Sequence, residues 1–157
     1  PQIVLTHPPM DYLIDHEVAS ALVRNAAFFA GVPNMRTEPV PPFRPVPYLY
    51  YADAVEGKDP LGRPLEPTVV VDVTGVIEVK ERMLACHASQ REWLQKQHGM
   101  DEYLGAMLAM AEARGKGIGV PYAEGFRQHL GHGYPQDDIL AAEMGTLVRR
   151  PGSGASR

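Results

Sequence analysis

Apolar residues occur along the chain in short runs that alternate with polar segments rich in Pro and Gly. Three of these runs, 2–6, 46–52 and 68–73, combine β-branched, aliphatic and aromatic side chains, which is typical of β-strands. Their nearly uninterrupted apolar character predicts burial on both faces, as in a parallel sheet. A further run at 122–127 predicts a last strand.

Helices are predicted where apolar residues recur at three- and four-residue steps. Residues 16–30 show this spacing, with Asp15 as the expected N-cap and Gly31 as the stop. Three more helices follow from the same criterion, over 76–98, from about 100 to 114, and near 136–148. The order of strands and helices predicts an α/β fold with a Rossmann-like, mostly parallel sheet flanked by helices.

The composition limits the classes of protein to which this chain can belong. The 157 residues suit one domain, which we expect over 1–150, with a flexible Pro-Gly-Ser tail at 151–157. Fifteen Lys and Arg against 19 Asp and Glu give a net charge of −4, which argues against a nucleic-acid partner. No apolar run approaches the roughly 20 residues that a membrane span needs.

One cysteine, Cys86, cannot form an internal disulfide, which is consistent with a reducing, cytoplasmic location. The chain begins at Pro1 and enters an apolar strand at once, so we expect a segment to precede it. Segment 33–47 contains six Pro residues and is predicted to be an extended loop. This loop is suited to contacts with a neighbouring subunit, which would make the protein a homo-oligomer.

The loop after the first strand, residues 6–16, contains two imidazoles and two carboxylates between a strand end and a helix start. Functional groups of α/β proteins collect at such positions. One interpretation makes His16 a metal ligand whose ring a neighbouring carboxylate orients. The other makes Asp15 a helix cap and His16 a surface residue, because one Asp-His pair is far from a full ligand set.

Residues Asp11 to Glu17, with the helix that follows them, resemble the second metal motif of the PIG-L/LmbE-like family of zinc-dependent N-acetylglucosaminyl deacetylases. Residues 71–74 and the His-Ala-Ser-Gln string at 87–90 resemble a later strand–helix segment of that family, and 122–127 its final strand. The resemblance therefore spans about residues 1–127 in the family's order.

The resemblance implies specific roles. His16 would be a zinc ligand, and Asp15, directly before it, is assigned to catalysis. Asp11 and Tyr12 are assigned to substrate binding. The family's usual first histidine of this motif falls on Leu13, which can neither donate a proton nor carry charge. The family's first metal motif, which carries two more ligands and the general base, has no counterpart in this chain, so its fold and site are expected to need an N-terminal segment.

The implied function is zinc-dependent hydrolysis of the acetamide of an N-acetylated sugar or a similar amide, with zinc or a similar divalent metal as cofactor. This chain alone, with one ligand, is expected to be inert. The alternative is a family member that has lost catalysis and serves as a carbohydrate-binding or structural module. A third interpretation is a binding protein without a metal that shares only the fold.

Histidines outside this loop have other interpretations. His87 is interpreted as a buried, hydrogen-bonded residue on a packed helix. His129 and His132, in a Gly-rich stretch, are interpreted as part of a flexible loop rather than as ligands.

Overall fold

The computed structural model describes residues 1–35, 38–98 and 102–151. Within these residues the strands are β1 (Ile3–Thr6), β2 (Tyr48–Ala52), β3 (Val69–Asp72), β4 (Ala123–Gln128) and β5 (Val148–Arg149). The α-helices are α1 (Ile14–Phe29), α2 (Ile77–Ala85), α3 (Ala88–His98), α4 (Glu102–Lys116) and α5 (Ile139–Met144). The predicted helix start near residue 100 and most of the predicted tail lie outside the described residues.

One mixed sheet organises the described chain, with the strands in the order β1-β2-β4-β3-β5. The predicted α/β class is confirmed. β1 and β2 pair in parallel, whereas β4 runs antiparallel to both of its neighbours and β5 runs antiparallel to β3. Only the β1–β2 pair is therefore a parallel one among the described strands. The apolar runs do not predict the direction of a strand. The direction depends on where the connection before the strand ends, because the strand starts from that end of the sheet.

Adjacent residues of β2 show what covers the two faces of the sheet. Leu49 is fully buried and packs with Ala27 of α1 on one face. Tyr50 is equally buried and packs on the other face with Ile139 and Leu140 of α5. Because successive side chains of a strand point to opposite faces, this one strand anchors helices on both sides of the sheet.

The predicted cap of the first helix is wrong. The N-cap of α1 is Leu13, not Asp15, and Asp15 lies exposed in the first helical turn. The helix begins early because the carboxylate of Asp11 accepts the Leu13 N–H at 3.2 Å and organises the turn before it. None of the helices in the described ranges is long and apolar enough to cross a membrane.

The predicted helix over 76–98 is divided, since α2 ends at Ala85 and α3 begins at Ala88. Cys86 and His87 form the break and are exposed, so the predicted burial of His87 is wrong. The Cys86 thiol donates to the Arg82 carbonyl at 3.2 Å. The prediction failed because it continued the apolar stripe of one long helix through residues 86 and 87. The helix breaks there, and both side chains turn outward.

An ion pair connects α4 to the end of β2. Arg114 donates from Nε to Asp53 at 2.6 Å and from a terminal nitrogen to the Leu65 carbonyl at 2.9 Å. The Asp53 side chain is 9% exposed, so the charge pair is largely removed from water. Gly125 on β4 leaves room for it, because an added Cβ there would clash with the carboxylate.

Candidate metal site

The candidate site lies where β1 ends and α1 begins. Thr6, the last residue of β1, pairs in register with Tyr51 of the parallel strand β2. His7 follows directly, Pro8 is fully buried, and His16 lies in the first turn of α1. The carboxyl end of parallel strands beside a helix N-terminus is a common position for ligand-binding groups.

Three side chains of this loop converge. His7, Asp11 and His16 each offer a nitrogen or oxygen donor, and all three donor atoms lie within 4.8 Å of one another. The Asp11 side chain is 3% exposed and that of His16 is 25% exposed, while His7 is on the surface. The cluster is therefore buried on its carboxylate side and open to solvent on its imidazole side.

Asp11 holds the cluster in place. One of its carboxylate oxygens lies 3.1 Å from Nδ1 of His16 and also accepts the Leu13 N–H at 3.2 Å. The Asp11 N–H in turn donates to the carboxylate of Glu17 at 3.0 Å. This contact fixes the orientation of the His16 ring beside the carboxylate.

The two imidazoles lie against each other. The ring of His7 stacks on that of His16 with centroids 4.1 Å apart and planes inclined by 13°. The ring of Tyr12 meets His16 edge-on at 5.8 Å and is itself 61% exposed. The exposed wall of the site is thus formed by aromatic and imidazole rings.

The donor set fits a divalent transition metal. Two imidazoles and one carboxylate are a ligand combination of catalytic zinc sites and of non-haem iron sites, in which further positions stay open to water or substrate. The buried Asp11 oxygen supplies the negative charge such a site requires, and the exposed side of His7 leaves an entry path. Among the residues that the structure describes, this is the group of three or more potential ligands that meets the distance criterion.

The predicted site residues are placed as follows. His16, predicted as a ligand, and Asp11, predicted as a substrate contact, both belong to the cluster. Asp15 lies outside it, on the exposed side of α1, and Tyr12 lies at its rim. The carboxylate paired with His16 is therefore Asp11, five residues before it, and not its neighbour Asp15.

His7 is the member of the candidate cluster to which sequence reasoning assigned no role. Its signal was its position directly after the first apolar run, at the carboxyl end of β1. The buried Pro8 and the bond between Glu17 and the Asp11 amide fold the loop back, so that His7 meets a residue nine positions later. Sequence spacing alone does not reveal that closure.

His129 lies in the loop that follows β4, where it belongs to a second group of rings. Its Nδ1 lies 2.9 Å from the Tyr51 hydroxyl, and its ring meets that of Tyr134 at 4.3 Å. The Tyr134 hydroxyl donates to the Arg24 carbonyl of α1 at 2.6 Å. Burial lowers the pKa of His129, and the nearby Arg24 charge lowers it further. This neutral imidazole joins β4 to α1.

The fold of this chain is similar to that of several solved structures. One is the conserved protein TT1542 from Thermus thermophilus, at 28% identity and a TM-score of 0.63, over 83% of this chain and 52% of that one. Another is the N,N'-diacetylchitobiose deacetylase of Pyrococcus horikoshii, solved with an inhibitor, at 23% identity and a TM-score of 0.62, over 88% of this chain and 51% of that one.

A third is GalB, the 4-carboxy-2-hydroxymuconate hydratase of Pseudomonas putida KT2440, at 21% identity and a TM-score of 0.60, over 88% of this chain and 55% of that one. No protein-family profile matches the chain. The chain spans about half the length of these structures. The α/β fold is therefore shared with a deacetylase and with a hydratase, and at 21–23% identity the likeness to these two shows the fold alone.

Proposed function

We propose that this chain carries the metal site of a divalent-metal-dependent hydrolase, with zinc as the metal and an N-acetylated amino sugar or a similar amide as substrate. The observation that carries the proposal is the convergence of His7, Asp11 and His16 at the end of β1. Its support is threefold: the donor set suits zinc, the motif around His16 resembles that of zinc deacetylases, and the fold is that of a deacetylase.

The three residues divide the work. The imidazoles of His7 and His16 would be ligands from the solvent side. The Asp11 carboxylate would be the third ligand, from the buried side, and would balance part of the charge of the cation. A divalent cation of this kind supplies Lewis acidity toward a carbonyl oxygen and toward water.

Asp15 and Tyr12 complete the proposed chemistry. Asp15 is exposed in the first turn of α1, next to His16 in sequence, where its carboxylate is free to accept a proton from water. Asp15→Asn is expected to lower kcat by about 100-fold, as removal of a general base does, and to leave zinc affinity unchanged. Tyr12 presents an exposed ring to a sugar, so Tyr12→Ala is expected to raise KM more than it lowers kcat.

Leu13 supports the alternative proposal of a module that binds a sugar without hydrolysing it. This residue stands where the resembling family has a histidine, and it lies 38% exposed beside the cluster. A leucine there offers no proton to a leaving amine. The two proposals share the metal site and differ in whether an acetyl group is released.

Zinc binding tests the site directly. Isothermal titration of the metal-stripped protein with zinc is expected to show one site, which His7→Ala and His16→Ala abolish. Asp11→Asn keeps the size of the side chain and is expected to weaken binding about 10-fold or more, because the amide oxygen lacks the negative charge of the carboxylate. His132→Ala is the matched control, because His132 is an exposed histidine outside the cluster. Wild-type affinity in His16→Ala would remove the basis of the proposal.

Acetate release separates the hydrolase from the binding module. The complete product of the gene, loaded with zinc, is incubated with N,N'-diacetylchitobiose, and acetate is measured by a coupled assay. Acetate that is lost on chelation and in His16→Ala supports the hydrolase. Stoichiometric zinc and saturable sugar binding without acetate would instead support the module.

A further inference from the structure

Helix α1 presents large apolar side chains to solvent. These side chains are Ile14 at 75% exposed, Leu22 at 64%, Val18 at 51% and Phe29 at 43%. The buried residues of the same helix are small ones, Ser20 and Ala27, and Ala27 packs against the sheet. A surface helix normally has the opposite arrangement, with its apolar stripe toward the core. The outer face of α1 therefore has the composition of a buried face.

The exposed apolar side chains of α1 form one stripe, here called the α1 stripe. Ile14, Val18 and Leu22 follow one another at steps of four residues, and Phe29 lies seven residues beyond Leu22. Side chains at these spacings share one face of a helix. The stripe includes one polar residue, Asn25. It extends along most of the helix, over a length of about 22 Å.

A lipid surface does not suit the α1 stripe. Helices that lie on membranes carry Lys and Arg on their polar face. α1 contains no Lys, and its one Arg, Arg24, is half-buried beside Tyr51. The charges in the first turn of the helix are acidic, those of Asp15 and Glu17. The partner that fits this face is therefore another protein surface.

The area of the α1 stripe is that of half an interface. With on the order of 100 Å² of exposed surface on each of its four side chains, two copies of the stripe hold roughly 800 Å² of apolar surface. Met10 and Met35, in the turns before and after the helix, are 46% and 52% exposed and add to this area. Two facing copies therefore reach roughly the 1,000 Å² that a specific interface needs.

We propose that the α1 stripe is the interface of a two-fold dimer of this chain, in which the two α1 helices pack antiparallel. A two-fold axis near Leu22, in the middle of the stripe, sets Leu22 against its own copy and Ile14 against Phe29 of the partner subunit. Helices that cross about 20° from antiparallel, as in helix bundles, keep such stripes in contact along their length. The proposal uses neither the metal site nor any activity.

The charge on the outer face of α1 favours the antiparallel direction. The exposed charged residue of this helix is Asp15, in its first turn. An antiparallel pair holds the two Asp15 carboxylates about 20 Å apart, beyond the Debye length of about 8 Å. A parallel pair would place them side by side and would also align the two helix dipoles.

Analytical ultracentrifugation of the purified chain over a concentration series tests the interface. We expect a dimer, and a dissociation constant at least about 100-fold higher for Leu22→Lys, because a change near the axis is present twice in each dimer. Leu61→Lys is the matched control, since Leu61 is 77% exposed in a loop outside α1 and should leave the dimer unchanged. A wild type that is monomeric at about 100 μM would overturn the proposal and assign the stripe to a different protein. A dimer that Leu22→Lys leaves intact would overturn it too.

Cysteine cross-linking tests the direction of the two helices. Cys86, the one cysteine of the chain, is exposed, so Cys86→Ser is the background for each variant. With a short bis-maleimide, Leu22→Cys should give a covalent dimer, because the axis brings that position close to its copy. Ile14→Cys alone should give none, whereas Ile14→Cys combined with Phe29→Cys should. A covalent dimer of Ile14→Cys alone would indicate a parallel pair and would contradict the proposal.

Discussion

Strands β1 and β3 have nearly the same sequence character and different surroundings. Each has four residues, Ile-Val-Leu-Thr in β1 and Val-Val-Val-Asp in β3. β3 pairs with β4 on one side and β5 on the other, and its three valines are buried. Among the strands that the structure describes, β1 pairs only with β2, and Leu5 remains exposed. An apolar run predicts a strand. Whether that strand is buried depends on how many other strands pair with it.

The two regions of the sheet also differ in the functional groups that they contain. Around β3 the sheet is packed by buried apolar side chains, and the Arg114–Asp53 ion pair lies at the end of β2. The β1 region has the open edge, the exposed imidazoles and the candidate metal site. Four predictions test how far the two regions differ in energy.

Truncation of a leucine should give the largest difference in unfolding free energy between the two regions. Leu49→Ala on β2 removes a fully buried side chain and is expected to cost about 3 kcal/mol of unfolding free energy. Leu5→Ala on β1 should cost less than about 1 kcal/mol, because more than half of that side chain is already in water. Urea unfolding of both variants measures the difference. Equal losses would show that β1 is buried in solution.

Zinc should stabilise only through the β1 region. At a free zinc concentration 100 times Kd, a site present only in the folded state adds about 2.7 kcal/mol to the unfolding free energy. Thermal unfolding with zinc and with chelator should show this gain in the wild type and in His132→Ala. The gain should be absent in His16→Ala. Identical curves with zinc and chelator in the wild type would count against the site.

The charge pair between α4 and β2 should matter more than an exposed one. Arg114→Met leaves the Asp53 carboxylate, which is 9% exposed, without its cation and is expected to cost about 2 kcal/mol. Lys58→Met breaks a pair whose side chains are 51% and 72% exposed, so it should change stability by less than about 0.5 kcal/mol. Urea unfolding checks both. A cost for Arg114→Met no larger than for Lys58→Met would mean that water screens the pair.

Substitution of Tyr50 should have the smallest effect on the unfolding free energy, and it should change how that free energy depends on pH. Its hydroxyl donates to Asp138 at 3.0 Å, so Tyr50→Phe is expected to cost about 1 kcal/mol at neutral pH. Burial raises the pKa of Tyr50 to about 12, and the Asp138 carboxylate contributes to the rise. The folded state therefore keeps a proton that the unfolded state releases above pH 10, and stability falls as pH rises from 10 to 12.

Unfolding measured from pH 8 to pH 12 tests this linkage. The alkaline loss of stability should be shallower in Tyr50→Phe than in the wild type. Part of the loss should persist, because burial also raises the pKa of Tyr51 and Tyr134. Tyr12→Phe is the control, since that ring is 61% exposed at the metal site. A wild-type slope in Tyr50→Phe would place its hydroxyl in water.

The elements that could be predicted from the sequence are those with a local cause. The apolar runs located four of the strands within two residues, and the helical spacing located α1. The short β5, at Val148–Arg149, was missed because two residues carry no periodic signal. The break at Cys86 and His87 was missed because no Pro or Gly marks it.

The candidate site was predictable in part for the same reason. Residue types at a strand–helix junction marked the loop, and the family resemblance then selected His16 as the candidate ligand. The pairing of His16 with Asp11 rather than Asp15 was not predicted, because it depends on a turn that starts α1 at Ile14. The contact of His7 with His16 depends on the same loop closure.

The sequence by itself determined the α/β class, the order of most elements and the loop that contains the ligands, because strand and helix periodicities are properties of neighbouring residues. Only the tertiary structure decided the direction of β4, the convergence of His7, Asp11 and His16, and the edge position of β1 among the described strands. These depend on contacts between residues far apart in the chain, and a local pattern does not encode which side of a strand receives a neighbour.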